Sequence, residues 1–323
     1  MNLTGLVEEL RNYGGITRKR EISEVVERLL CENAGCVLAA LGEDAAAIEH
    51  DKTVLLLAAD GMMESFVEAD PHWAGYCSVL VNVNDIAAMG GMPMAVVDVL
   101  SCRKGDVRDA LVSGLAAASK KFGVPIVGGH LHPDATHAAL DVAVLGETDM
   151  DHLVLSTGAS VGDDIVCAMD LDGQFTPGIP YSWDTTSTKG REEVRRCLAS
   201  MHTVAPLLSA GKDISNPGTL GTMGMLLEAS SAGGHVDILR IPRPGGVGLG
   251  QWLKAYQGCG FVVTCDPGST EGVAAEFERR GLTASKCGSV AEGHELVVEM
   301  QGDRETLFDL SAENFGCRVP QRI

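Results

Sequence analysis

Asn82-Val83-Asn84-Asp85-Ile86-Ala87-Ala88-Met89-Gly90-Gly91-Met92-Pro93 is the stretch on which the reading of this chain turns. Its small apolar residues predict a helix over 72–89, stopped by the glycine pair with Pro93 just beyond. Asp85 stands among Val, Ile, Ala and Met. A carboxylate there is costly to bury unless it is paired, hydrogen-bonded or metal-bound. Asn82, one turn earlier, can support it. A structural, hydrogen-bonded Asp is the plain alternative, since such networks also hold buried carboxylates.

Outward from this helix, short apolar runs bounded by polar residues predict strands at 37–41, 53–59, 95–100, 124–127 and 138–145, with a helix over 107–122. Residues 1–35 read as helical, Ile22, Val25, Val26 and Leu29 falling at i, i+3, i+4 and i+7. Between two helical stretches, Gly14 to Arg20 reads as a flexible, locally basic segment, either a solvated loop or a phosphate-facing arm. Thr, Ser, Gly and Asp break the pattern at 148–164, where the domain boundary is placed. The expected domains are 1–152 and 153–323. The second half starts with a strand at 165–169 and a polar loop at 170–190. Helices are expected near 190–210, 219–232, 247–257 and 270–280, with a strand at 260–264 and short strands to about 299. This rhythm predicts an α/β (α+β) fold in two domains.

With 44 acidic against 25 basic side chains the formal charge is −19. That disfavours nucleic acid, whose phosphates must be met by Lys and Arg, and equally anionic lipid. Anionic small substrates remain open, because a divalent cation can invert the local charge. No apolar run approaches the roughly 20 residues of a membrane helix. The ten Cys contain no C-x-x-C pair, and several sit in apolar runs. The expectation is a reduced, cytoplasmic protein without a signal peptide.

Four acidic motifs stand at element ends: Gly42-Glu43-Asp44-Ala45-Ala46, Ala59-Asp60-Gly61, the Asp85 segment, and Lys212-Asp213-Ile214-Ser215-Asn216-Pro217-Gly218, read as leading into a helix. Singly, each Asp has a capping or turn explanation. Together, isolated carboxylates without basic neighbours to neutralise them suit Mg²⁺, which takes one or two carboxylates and fills its octahedron with water and phosphate oxygens. No P-loop and no post-strand G-x-G-x-x-G is present, so metal ions would hold much of any bound nucleotide's phosphate. His130, His132 and His137 with Asp134 form a second group. Its alternation suggests a transition-metal site, but Pro133 breaks the run and favours loop histidines lining a cleft.

These motifs, with Gly128-Gly129-His130, occur in an order that resembles the aminoimidazole ribonucleotide synthetase-like superfamily, whose members include thiamine-monophosphate kinase, selenophosphate synthetase, formylglycinamidine ribonucleotide synthetase and a hydrogenase maturation dehydratase. Gly15 to Lys19 and Asp213 to Thr222 look more narrowly like the methanogenesis marker 2 branch. The resemblance implies an amino-terminal ATP-binding domain that pairs with a second copy through a shared barrel-like sheet, and a carboxy-terminal α+β domain closing over the nucleotide. It implies ATP and Mg²⁺ as cofactors and phosphoryl transfer to an O or Se nucleophile of a small-molecule acceptor. Carried over, Asp44, Asp60, Asp85 and Asp213 are metal ligands, Asp85, Asp213 and His130 are catalytic, and Asn82, Gly128, Gly129, Ser215 and Lys19 contact the nucleotide. Two alternatives accompany this reading: a non-catalytic nucleotide-binding subunit, and a dehydratase or cyclo-ligase that activates an amide oxygen. The chain departs from the kinase members at His130 and at Asn216, where they carry Asp. Its Cys317 is close to the carboxy terminus without being terminal, unlike the dehydratase's acceptor Cys.

Overall fold

The computed structural model describes residues 2–29, 35–256 and 258–317. Positions 1, 30–34 (Cys31 among them), 257 and 318–323 lie outside the described residues.

Two sheets organise the molecule. The first holds β1 (Val37–Ala39), β2 (Ala46–His50), β3 (Thr53–Gly61), β4 (Met92–Ser101), β5 (Ile126–His132) and β6 (Ala139–Thr148) in the order β1-β2-β3-β6-β4-β5. Beyond it come β7 (Asp164–Met169), a small ribbon of β8 (Gln174–Phe175) and β9 (Trp183–Asp184), then β10 (Ala210–Asp213), β11 (Gly233–Asp237), β12 (Gly260–Cys265), β13 (Thr283–Ala291), β14 (Glu295–Met300) and β15 (Asp303–Asp309). The second sheet runs β10-β12-β7-β13-β11-β14-β15. The helices are α1 (Leu3–Arg11), α2 (Gly14–Thr17), α3 (Ile22–Leu29), α4 (Glu64–Ala69), α5 (Pro71–Ala88), α6 (Asp106–Phe122), α7 (Arg191–Leu198), α8 (Ser200–Val204), α9 (Gly218–Ala229), α10 (Leu249–Trp252) and α11 (Thr270–Arg279).

Helix α5 starts at Asp70, whose carboxylate accepts from Trp73 N–H (2.9 Å), with Pro71 in the first turn. It is apolar nearly all round and accordingly buried under the first sheet, where Val79, Leu80, Val83 and Ile86 meet Leu56, Val142 and Val144. The crossover through α6 makes β4 and β5 parallel. Helix α1 does not pack on the first sheet. Its Leu3, Leu6, Val7 and Leu10 join the core of the second, with Phe308 and Phe315.

Several elements differ from expectation. Gly14 to Arg20 is no flexible loop but helix α2 followed by a 3-10 turn, because Ile16 is fully buried and pins it. The helices expected near 190–210 are α7 and α8, and after them comes an unanticipated strand, β10, whose Gly, Lys and Asp have poor strand propensity but pair antiparallel with Val263, Val262 and Phe261. Asp213 therefore ends a strand, and α9 begins five residues later, so no helix dipole acts at its carboxylate. Strands β2 and β11 were not anticipated, the helix near 247–257 is the four residues of α10, and strands continue to Asp309. The strand expected at 124–127 runs instead from 126 to 132 and takes in Gly128, Gly129, His130 and His132, which are thus not loop residues.

Candidate functional site

A cavity of about 450 Å³ opens between the two sheets. Asp44 reaches it from the turn before β2, Asp60 from the end of β3, Asp85 from α5, and Asp213 and Ser215 from the end of β10 and the turn after it. Oxygens of Asp44, Asp85 and Asp213 lie within 4.8 Å of one another, the one such group of three among the described residues. Helix geometry explains the choice on α5: Val81, Asn84 and Asp85, at i, i+3 and i+4, share the face that lines the cavity. Asn82 is turned off it, and its Nδ2–H donates to Ser78 O (2.8 Å) on its own helix. The residue beside Asp85 at the cavity is Asn84.

The electrostatics depart from the expectation of carboxylates without basic neighbours. Lys212, 3% exposed, pairs with Asp44 and donates to Gly42 O (3.3 Å). The adjacent Asp213 N–H reaches the other Asp44 oxygen (3.3 Å). Burial disfavours the lysine's charge, but Asp44 overrides it and raises its pKa. Arg18 and Lys19 also line the cavity, brought there by the turn after α2. The acids still outweigh them. Burial, then Asp44, push Asp213 up to about 8, and burial with Asp213, Asp60 and Asp44 drives Asp85 well above the ordinary range. Asp60, solvent-facing on the cavity side, is raised by desolvation against the pull of Lys19.

Glu43 is a residue that sequence reasoning missed. Its Oε2 accepts from Ser156 N–H (2.7 Å) and Oγ–H (2.8 Å), while Oε1 is buried with no hydrogen-bond partner. It ties the Asp44 turn to the linker between the sheets. The signal was its position directly before Asp44.

Hard oxygen donors that repel one another, together with an unsatisfied carboxylate oxygen, fit a divalent cation. The three carboxylates, all hard oxygen donors, suit Mg²⁺ better than zinc or copper, which favour imidazole and thiolate.

Gly128, Gly129 and His130 are not brought here. All of β5 is exposed at the edge of the first sheet. A Cβ at 129 would meet Asp98 Oδ1 at 2.5 Å and its carbonyl at 2.6 Å, so close packing with β4 calls for glycine there. His130 and His132 stack edge to face, ring centroids 4.6 Å apart.

Two sheets joined over an acidic cavity define a class of two-domain α/β proteins, and the comparisons place the chain within it. Residues 42–148 match the family model "AIR synthase related protein, N-terminal domain", and residues 184–301 match the "AIR synthase related protein, C-terminal domain". The chain belongs to the AIR synthase related family. It is 42% identical to the uncharacterized protein MJ0640 of Methanocaldococcus jannaschii, over 98% of this chain and 100% of that one. In fold it is similar to T. maritima PurL complexed with ADP (TM-score 0.77, 16% identity, covering 96% of this chain), spanning only 53% of the PurL chain. It is also similar to AaThiL complexed with AMPPCP and TMP (TM-score 0.63, 18% identity, covering 94% and 96% of the two chains). No helix among the described residues is long and apolar enough to cross a membrane.

Proposed function

We propose that this chain is a homodimeric, Mg²⁺- and ATP-dependent enzyme that transfers the terminal phosphoryl group of ATP to an O (or Se) nucleophile of a small molecule, releasing ADP. The convergence of Asp44, Asp85 and Asp213 from both sheets carries the reading. Asp44, Asp60, Asp85 and Asp213 are the residues to hold Mg²⁺, which would neutralise phosphate charge. Lys19 and Ser215, on the cavity wall, are suited to phosphate oxygens, and Lys212 offers a fixed positive charge beside the carboxylates. Little covalent chemistry falls to the protein in phosphoryl transfer. Positioning and charge stabilisation are the main catalytic contributions. That T. maritima PurL and AaThiL have been captured with ADP and AMPPCP supports a nucleotide in this cavity.

The second copy is supported by the outer face of the first sheet. Leu57 (49% exposed), Leu145 (37%), Val97 (42%) and Val99 (43%) lie there, through the pairs Leu57↔Leu145 and Val99↔His130. Such an apolar face is expected to be covered by another chain. Gly128, Gly129 and His130 are assigned to that interface.

The test is ADP release with Mg²⁺ against acceptors bearing hydroxyl, phosphate, selenide or carboxamide groups. Acceptor-dependent ADP supports the transferase. ADP with orthophosphate and loss of an amide oxygen points to the dehydratase alternative, and tight binding without turnover across the panel points to a nucleotide-binding subunit.

A further inference from the structure

Glu228, on α9, is 2% exposed and is not among the cavity-lining residues. Its carboxylate accepts from Phe315 N–H (3.0 Å to Oε1, 3.1 Å to Oε2) and from Cys317 N–H (3.1 Å to Oε2). Hydrogen bonds to an ionised acceptor are roughly twice as strong as neutral ones, and a buried carboxylate deprived of them is heavily penalised. The segment it holds is itself a wall of the cavity, through Phe315, Gly316 and Cys317.

Contacts lead from this segment to the acidic cluster. The Cys317 backbone lies against Gly42: a Cβ at 42 would come within 3.0 Å of Cys317 Cα and 3.1 Å of its carbonyl oxygen. Gly42 also has φ +96°, where a side chain is strained. Its carbonyl receives Lys212 Nζ, which pairs with Asp44. On the other flank, Arg20 pairs with Glu313 (2.6 Å), joining the segment to the stretch that carries Arg18 and Lys19.

We propose that Glu228 is a positioning residue: its carboxylate clamps residues 315–317 as a strap closing the nucleotide cavity and, through Gly42, sets Asp44 and Lys212. The inference rests on the nucleotide-binding reading above. Glu228 acts on the ligand only through the strap.

The experiment uses the full chain and two readouts. Maleimide labelling with peptide mass mapping follows Cys317, which is 2% exposed, against the buried Cys167 and Cys287. Calorimetry follows Mg²⁺ with AMPPCP as the probe. In Glu228→Gln, Cys317 should label at least tenfold faster while Cys167 and Cys287 keep their rates, and AMPPCP affinity should fall at least tenfold. Equal acceleration at all three thiols would mean a general stabilising role and overturn the proposal. So would a released strap with unchanged affinity, or an unreleased one. Should Glu228→Gln not fold, hydrogen exchange on the unaltered protein decides. Slower exchange at the Phe315 and Cys317 amides on binding Mg²⁺–AMPPCP supports the strap, and unchanged exchange overturns it. If the unaltered protein binds no AMPPCP, the nucleotide reading fails and the strap's role falls with it, whereas selective labelling of Cys317 in the variant would still show the clamp itself.

Discussion

Helix α5 and strand β5 carry the two most recognisable motifs of the first sheet's lobe, and the fold sends them to opposite places. Asp85 is turned by helical spacing into the cavity between the sheets, among three other aspartates and a buried lysine. Gly128 to His130 lie on an edge strand exposed along its whole length. A motif identifies a family well, but the destination of its side chains is set by helix face and sheet register. The difference is measurable because changes on α5 should act on metal and nucleotide, and changes on the sheet face should act on assembly.

The largest effect is expected at Asp85→Asn, which removes a carboxylate from the cluster while keeping its shape. Mg²⁺-dependent nucleotide affinity should fall at least 100-fold, about 2.8 kcal/mol at roughly 1.4 kcal/mol per decade. The metal-free variant should melt at a higher temperature than the parent, because one repelled acid is gone. A lower melting temperature would mean that Asp85 is structural. Lys212→Met comes next. It leaves Asp44 without its partner, and nucleotide affinity should drop by 10- to 100-fold in the same titration.

On the other face, Leu145→Asp puts a charge into the apolar patch and should convert dimer to monomer in analytical ultracentrifugation. An unchanged sedimentation coefficient would mean that this face is free in solution. His130→Ala should be the mildest, altering nucleotide affinity less than fivefold. A loss of two decades would bring β5 back to the reacting groups.

Protons offer a further way to probe the cavity, where burial and mutual repulsion raise Asp85 and Asp213. Asp213 binds its proton more tightly in the folded chain, so between about pH 4 and about pH 8 the folded state holds protons that the unfolded state has lost. Metal-free stability should therefore fall as pH rises through that window. Mg²⁺ binding must expel those protons, so its affinity should climb over the same range and level off above it. Thermal melts with and without Mg²⁺ read both signs. A flat profile would contradict the crowding of acids at one point.

The sequence carried the long elements because burial imposes a period: α5, α6 and β3 fall close to where their apolar patterns put them. Strand β10 was illegible because Ala-Gly-Lys-Asp has strand character only once β12 pairs with it. The same gap hid Lys212's role. Adjacent side chains on a strand point to opposite faces, and nothing local says that the lysine would turn to Asp44 from a distant turn. The aspartates were readable as a set because they recur singly at element ends, whereas nothing local to Glu43 points to Ser156, more than a hundred residues on. Glu228 gave no signal at all, since its partners are backbone N–H groups nearly ninety residues away.

Calorimetric titration of AMPPCP into the full chain, with Mg²⁺ and then with chelator, tests the central claim most directly. Nucleotide should bind with Mg²⁺ present, lose at least two decades of affinity without it, and lose as much in Asp213→Asn with metal restored. Equal affinity under all three conditions would show that carboxylates from the two sheets do not hold the nucleotide through a divalent cation.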